Sequence, residues 1–291
     1  VLTLNHPVVT TRLISLFDMM YELGSPMGCS EVVAAAKDGT VLHGRNLDYR
    51  EVSPAVEVTF IRNGKVLFVS PMFLGTNGVH TAIKPGSWSF GQNTRFDFAD
   101  NPMTNFARLR KRTGQIYPTF IRSLFEQDSV GYDEALAALQ STPLVRGGYF
   151  IIAGAAPYQG AVITRRAEPD FRHVDTLSKE RWYLFQTNDD SFSMPLDLRR
   201  PAGQLSMAAL PQASITPENI ITVMKAPPVY MTVNVLLFMM SPKSGDYCSI
   251  LGPMVTGDDH SVRCPMKKWN VTRGAEPAIA DALKSNTVFE R

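Results

Sequence analysis

Cysteine is nearly absent from this chain: 3 of its 291 residues, at positions 29, 248 and 264. They form neither a CxxC pair nor a Cys/His cluster, so the spacing offers no metal framework, and no cofactor is expected. Cys248 and Cys264 can close one disulfide in an oxidising compartment or stay as two thiols. Long apolar runs are missing too; none approaches the roughly 18 residues of a membrane-spanning helix. Charge of one sign is also lacking, since 29 Lys and Arg against 27 Asp and Glu leave a net +2. With no Lys/Arg run to grip phosphates, nucleic acid is excluded as a partner. No internal repeat or low-complexity linker divides the chain. Its hydrophobic content of 44% over 291 residues suffices for a large core in one body.

What the chain does contain is a thiol beside a hairpin. Gly28-Cys29-Ser30-Glu31-Val32-Val33-Ala34-Ala35-Ala36 reads as a buried strand, Lys37-Asp38-Gly39-Thr40 as a tight turn, and Val41-Leu42-His43-Gly44-Arg45-Asn46-Leu47-Asp48-Tyr49 as the returning strand. Such a hairpin brings Arg45 and Asp48 back towards Cys29. A cation beside a thiol favours the nucleophilic thiolate. The same residues also read as a small buried Cys in an ordinary hairpin, with Arg45 and Asp48 paired to each other at a strand end, where exposed pairs contribute about 0 to 1 kcal/mol.

Ahead of Cys29, residues 12–23 carry a wide apolar helical face and a narrow polar stripe at Arg12, Ser15, Asp18 and Glu22, stopped by Gly24-Ser25-Pro26. Strands are predicted at 32–36, 41–47, 56–61, 66–69 and 87–91, with Asn63-Gly64 as a hairpin turn. Helices are predicted at 106–127, interrupted near Pro118, and at 133–141. Strands return at 149–153, 160–165, 171–175 and 182–187. A helix over 217–225 opens with Thr216 as cap and Pro217 at its first position, and strands at 233–240 and 247–251 complete the set. Strands, then helices, then strands predict an α+β chain of antiparallel sheets rather than a βαβ alternation.

Cys29, Arg45-Asn46-Leu47-Asp48-Tyr49, Lys84-Pro85-Gly86, Gln186-Thr187-Asn188-Asp189 and Asp197-Leu198-Arg199-Arg200-Pro201 occur in an order that resembles the acid ceramidase family, to which the acid amidase of N-acylethanolamines is similar. The resemblance runs from about residue 13 to 269. It implies an N-terminal-nucleophile hydrolase: a four-layer αββα sandwich of two antiparallel sheets, with residues 1–28 a helical propeptide or small-subunit tail and 29–291 the catalytic domain. It also implies a zymogen that cuts itself between Gly28 and Cys29. An internal Cys has an amide nitrogen that accepts no proton, whereas a freed α-amine titrates near 8 and can serve its own thiol as base. Gly28, lacking Cβ, suits close approach of the sulfur and strained backbone angles.

By the same resemblance Cys29 is the nucleophile, Arg45 holds the thiolate and amine, Asp48 accepts from the amine, and Asn188 donates to the oxyanion. Either Arg199 or Arg200 fills a further position. The implied reaction is hydrolysis of N-acyl lipid amides, ceramide to sphingosine and fatty acid first, with N-acylethanolamines, bile-salt or penicillin-type amides, or non-catalytic lipid binding as alternatives. Implied partners are the lipid substrate, the chain's own residues before Cys29, and a membrane surface or activator protein. Met72-Phe73-Leu74, Met239-Met240 and Trp88 are candidates for an acyl slot.

Two departures stand out. Thr94 in Asn93-Thr94-Arg95-Phe96 replaces the family's usual acid, and residues 50–55 are shorter than in the ceramidase, implying a reduced apolar rim. A lysosomal or secreted glycoprotein is expected from the sequon Asn270-Val271-Thr272 and from a chain that opens at Val1, as a trimmed product would.

Overall fold

Period-2 alternation sets the architecture from its first two strands. In the computed structural model, which describes residues 18–19, 22–23, 28–49, 55–251, 264–268 and 288–290, β1 (Gly28–Ala35) and β2 (Val41–Asp48) pair antiparallel through the turn at Gly39, whose φ of 84° suits glycine. The rising strands that follow are β3 (Ala55–Arg62), β4 (Lys65–Phe73), β5 (Thr81–Lys84) and β6 (Trp88–Asn93). After three helices come β7 (Gly148–Gly154), β8 (Gly160–Arg165), β9 (Arg172–Thr176) and β10 (Tyr183–Gln186). β11 (Asn234–Met240), β12 (Tyr247–Leu251) and β13 (Val288–Glu290) close the order.

One sheet has the order β10-β1-β2-β11-β12 and the other β13-β3-β4-β5-β6-β7-β8-β9. Among the described residues the strands pair antiparallel, as expected of two antiparallel sheets, with one short parallel pairing of β13 to the edge strand β3.

Three apolar layers fill the spaces between four structural layers. On β1, Val32 and Ala34 pack with Ile220, Val223 and Met224 under the helices Arg199–Ala208 and Pro217–Lys225. Val33 and Ala35 point the other way, against Tyr149, Ile151 and Val162 of the second sheet. Beyond that sheet, Trp88, Phe90 and Phe150 pack with Phe120, Ile121, Leu124 and Phe125 of the helix Tyr117–Phe125 and with Ala135 and Leu139 of the helix Tyr132–Ser141. This is the αββα sandwich.

The helical interruption predicted near Pro118 is present, at residues 112–116. The helix Pro102–Lys111 ends on Arg112 in the left-handed region, φ 55°, and Pro118 lies in the first turn of the next helix, where its missing N–H needs no partner. The helix Arg199–Ala208 was not expected; Pro201 and Gly203 within it are poor helix formers. Cys248 and Cys264 form a disulfide.

Of the predicted helix at 12–23, Asp18, Met19, Glu22 and Leu23 are described; Arg12, Ser15 and the stop at 24–26 lie outside the described residues. The two described residues of the polar stripe, Asp18 and Glu22, point inward. Asp18 Oδ1 accepts from the Asn77 and Gly78 N–H groups at 2.8 and 2.9 Å, and buried Glu22 accepts from the Tyr117 N–H at 2.8 Å. Burial pushes the Glu22 carboxyl up to about 8 from 4.5, against the pull of that N–H and Arg146. A carboxyl raised on folding contributes stability below its unfolded value and loses it as pH climbs through the folded one. The melting temperature should therefore fall between pH 4.5 and 8, and Glu22→Gln should flatten that slope in melts recorded across the range. A slope the substitution leaves unchanged contradicts the assignment.

Candidate active site

The hairpin register dictates which side chains meet. Cys29 opposes Leu47 and Glu31 opposes Arg45, so Cys29, Glu31, Arg45 and Leu47 share the face of the small sheet that looks at the large one. Arg45 Nη2 donates to Cys29 Sγ at 3.4 Å, and Sγ lies 3.7 Å from the Gln92 carbonyl oxygen. The thiol is fully buried. Burial pushes it up to about 12, with Arg45 opposing, Glu31 and Asp48 reinforcing, and Arg199 opposing. Arg45 favours thiolate, as expected of a neighbouring cation, but with the Gly28–Cys29 bond intact desolvation outweighs it and holds the thiol towards its protonated form.

The backbone of Cys29 is held separately. Pairing of Glu31 with Gln186, continued two residues, sets Asn188 opposite Cys29 just past the end of β10. The Cys29 N–H donates to Asn188 Oδ1 at 2.9 Å. Arg199 Nη2 donates to the same oxygen at 2.9 Å, and its Nη1 reaches the Cys29 carbonyl at 3.2 Å and Asp48 Oδ2 at 3.3 Å. Asn234 Nδ2 donates to Asp48 Oδ1 at 3.1 Å. Burial raises the Asp48 carboxyl, opposed by Asn234 and Arg199.

Arg45 and Asp48, three apart on one strand, point to opposite faces. They are not each other's partner: Arg45 pairs with Glu31 at 2.6 Å and Asp48 with Arg199. Of the two arginines left open by the sequence, Arg199 enters the cluster, while Arg200 pairs with Asp189 at 2.8 Å and donates to the Ser191 and Ser193 carbonyls.

Asp197 fixes the Arg199 side chain, accepting from its Nε and Nη2 at 2.9 and 2.7 Å. The helix that begins at Arg199 lies close on β10, since a Cβ at Gly203 would come 2.1 Å from the Phe185 ring. Gly203→Ala should therefore push the helix outward at a cost of about 1 to 3 kcal/mol, read as a lower midpoint in urea. An unchanged midpoint contradicts this packing.

Gly28 sits in extended backbone paired with Asp48. Its use is space rather than unusual angles: a Cβ there would stand 3.3 Å from Asp48 Cβ and 3.4 Å from Arg199 Nη1. Asn188 Nδ2 donates to the Thr94 carbonyl at 2.9 Å, so in the intact chain Asn188 bridges the two sheets. The Thr94 side chain is buried, and its hydroxyl has no hydrogen-bond partner among the described residues. Asn93 Nδ2 ties down the Gln186 and Thr187 carbonyls, and Arg95 grips Asp190 with two bonds of 2.8 and 2.9 Å. Asn93, Thr94 and Arg95 fall in the motif noted in the sequence, but their bracing of Asn188 was not read there, and Gln92, Glu31 and Asn234 were not singled out. Glu31 left the clearest signal, a lone acid two residues from Cys29 in an otherwise apolar strand.

A small apolar cleft is lined by Leu47, Pro71, Met72, Phe73, His80 and Leu236. Leu47 is the cross-strand partner of Cys29, and Leu236 the partner of Leu47. Of the slot candidates, Met72 and Phe73 line this cleft. Leu74 is exposed, Met239 packs in the layer under the helices, and Trp88 stacks on Phe125 with ring centroids 3.9 Å apart. Residues 50–54 and the sequon at 270–272 lie outside the described residues.

A protein of Caenorhabditis elegans named N-acylethanolamine-hydrolyzing acid amidase is 30% identical over 244 residues, which cover 80% of this chain and 67% of that protein. The chain belongs to the family of this acid amidase and acid ceramidase. Within the acid amidase and ceramidase family, bovine (Bos taurus) acid ceramidase is likewise 30% identical, over 255 residues covering 80% of this chain and 64% of the relative. The chain thus spans about two thirds of the length of these relatives. A solved structure of the Caenorhabditis elegans N-acylethanolamine-hydrolyzing acid amidase ortholog superposes with a TM-score of 0.66 at 29% identity, covering 74% of this chain and 93% of that one. No family model matches the chain. The αββα sandwich described above is accordingly the N-terminal-nucleophile hydrolase fold of this family.

Proposed function

We propose that this chain is a cysteine amidase that cuts itself between Gly28 and Cys29 and then hydrolyses the amide of N-acyl lipids. The observation that carries the reading is the double hold on Cys29, with Arg45 on its sulfur and Asn188 and Arg199 on its nitrogen and carbonyl. Such a hold supports one group serving both as nucleophile and, once its nitrogen is released, as base.

In the intact chain the Cys29 nitrogen is a peptide N–H and the thiol is protonated. Attack of Sγ on the Gly28 carbonyl carbon, with transfer of the thiol proton to the Cys29 nitrogen, exchanges the peptide bond for a thioester. Water then releases the Gly28 carboxylate and leaves a free α-amine. That amine, titrating near 8 in an ordinary setting, takes the thiol proton when Sγ attacks the substrate carbonyl. Asn188 keeps the amine in place through Oδ1 and turns its amide to the oxyanion. The protonated amine gives its proton to the departing lipid amine. Water hydrolyses the acyl thioester to a fatty acid and the free thiol. Arg45 stabilises the sulfur as its charge grows, and Arg199 with Asp48 fixes the Cys29 backbone.

The cleft of Leu47, Met72, Phe73 and Leu236 is apolar but holds only about 10 Å³, so an acyl chain entering beside the cross-strand partner of Cys29 must widen it. Phe192, Met194, Leu196 and Leu198, all exposed, alternate along the loop between Asn188 and Arg199, an apolar fringe that suits contact with a lipid surface. The Cys248–Cys264 disulfide supports an oxidising compartment, lysosomal or secreted.

The test is release of labelled fatty acid from ceramide and, separately, from an N-acylethanolamine by the full chain after incubation in acid. Release from either supports the reading and names the leaving amine. Release from neither overturns it.

A further inference from the structure

Among the buried charges near Cys29, Glu31 has no part in the steps above. It stands two residues from Cys29 on the same face of β1, opposite Arg45, with no exposure. Its Oε1 accepts from Arg45 Nη1 at 2.6 Å, while the other arm of that guanidinium, Nη2, is the one on Cys29 Sγ. Its Oε2 lies 2.9 Å from His43 Nε2, and His43 Nδ1 lies 2.9 Å from Ser89 Oγ on the opposing sheet. A carboxylate can only accept, so His43 carries its hydrogen on Nε2. Space for the carboxylate comes from Gly91, where a Cβ would fall 2.0 Å from Oε2. A row of contacts therefore crosses from Ser89 through His43, Glu31 and Arg45 to the thiol.

A buried ion pair is a poor source of stability, because desolvation offsets the attraction. What it supplies is direction: a planar guanidinium gripped at one arm has its other arm aimed. We propose that Glu31 is a positioning residue, which aims the Arg45 guanidinium at Cys29 Sγ and balances its charge. The consequence rests on the acyl-transfer reading: the sulfur is held neutral beside a cation until its own amine exists to take the proton. The other charged or titratable groups around the pair are His43 and Asp48 of β2, Arg199 of the facing helix, and His80 ahead of β5, kept neutral by burial and by Arg45.

The test is a titration of Cys29 in the full chain by the ultraviolet absorbance of thiolate, taken as the difference from Cys29→Ser. In folded Glu31→Gln, where Arg45 keeps its charge without its counter-ion, thiolate should form at lower pH, giving roughly tenfold more at a fixed pH, the equivalent of one pKa unit. A titration identical to the parent's overturns the proposal. If the lone charge prevents folding, Glu31→Asp, which keeps the charge and shortens the reach to Arg45, is titrated instead. Thiolate should then form at higher pH than in the parent, because the Arg45 arm is no longer aimed at the sulfur; a titration identical to the parent's overturns the proposal. No lipid turnover enters this readout, so a parent chain that hydrolyses neither lipid sinks the proposed function without deciding the role of Glu31.

Discussion

Cys29→Ala should leave the chain unbroken between Gly28 and Cys29 and lower fatty-acid release by about four orders of magnitude or more, the scale seen when a nucleophile is removed from a covalent hydrolase. The argument rests on there being one sulfur in position. Cys29 is the only free cysteine in the chain, the other two being joined, and its Sγ accepts from Arg45 Nη2. The substitution removes one buried sulfur and keeps Cβ, so the hairpin of β1 and β2 should persist. Circular dichroism and an intact mass accompany the rate measurement. A folded, uncut Cys29→Ala chain that releases fatty acid at the parent rate contradicts the assignment.

Asn188→Ala should be the next most severe change. Its Oδ1 takes both the Cys29 N–H and Arg199 Nη2, and its Nδ2 reaches the Thr94 carbonyl. Truncation deprives two buried donors and one buried acceptor of their partner at once. Loss of an oxyanion donor alone lowers kcat by roughly 100- to 1,000-fold in known cases. Because Asn188 also anchors the nitrogen that becomes the base, the loss should fall on kcat rather than KM, and self-cutting should slow with it. An unchanged kcat with a raised KM would instead mark Asn188 as a substrate-binding residue.

The parts of this site legible in sequence are those that local geometry dictates. The hairpin of Cys29 and Arg45 was readable because a continuous apolar run, the tight turn at Asp38-Gly39 and a returning strand leave one register. Asn188 was readable as the polar residue ending a strand. Glu31 and His43 were not, because period-2 alternation places them on the Cys29 face without saying what lies opposite. Their partners are set by how the two sheets stack and by the space left at Gly91. The choice between Arg199 and Arg200 likewise needed the helix Arg199–Ala208, whose Pro201 and Gly203 hide it from a propensity reading. The break near Pro118 was readable from the proline, but the end of the first helix was not, because Arg112 takes the left-handed conformation usually left to glycine. The buried side of Asp18 and Glu22 was hidden for another reason: a polar stripe ordinarily marks the wet face of a helix, and here it meets backbone N–H groups at 77, 78 and 117.

The central claim is that Cys29 works through its own nitrogen once that nitrogen is free. The most direct measurement is the N-terminal sequence of the lipid-hydrolysing fraction, purified after incubation in acid. The account predicts a chain that begins at Cys29 and carries all of the activity; an active fraction whose Gly28–Cys29 bond is still whole would contradict it.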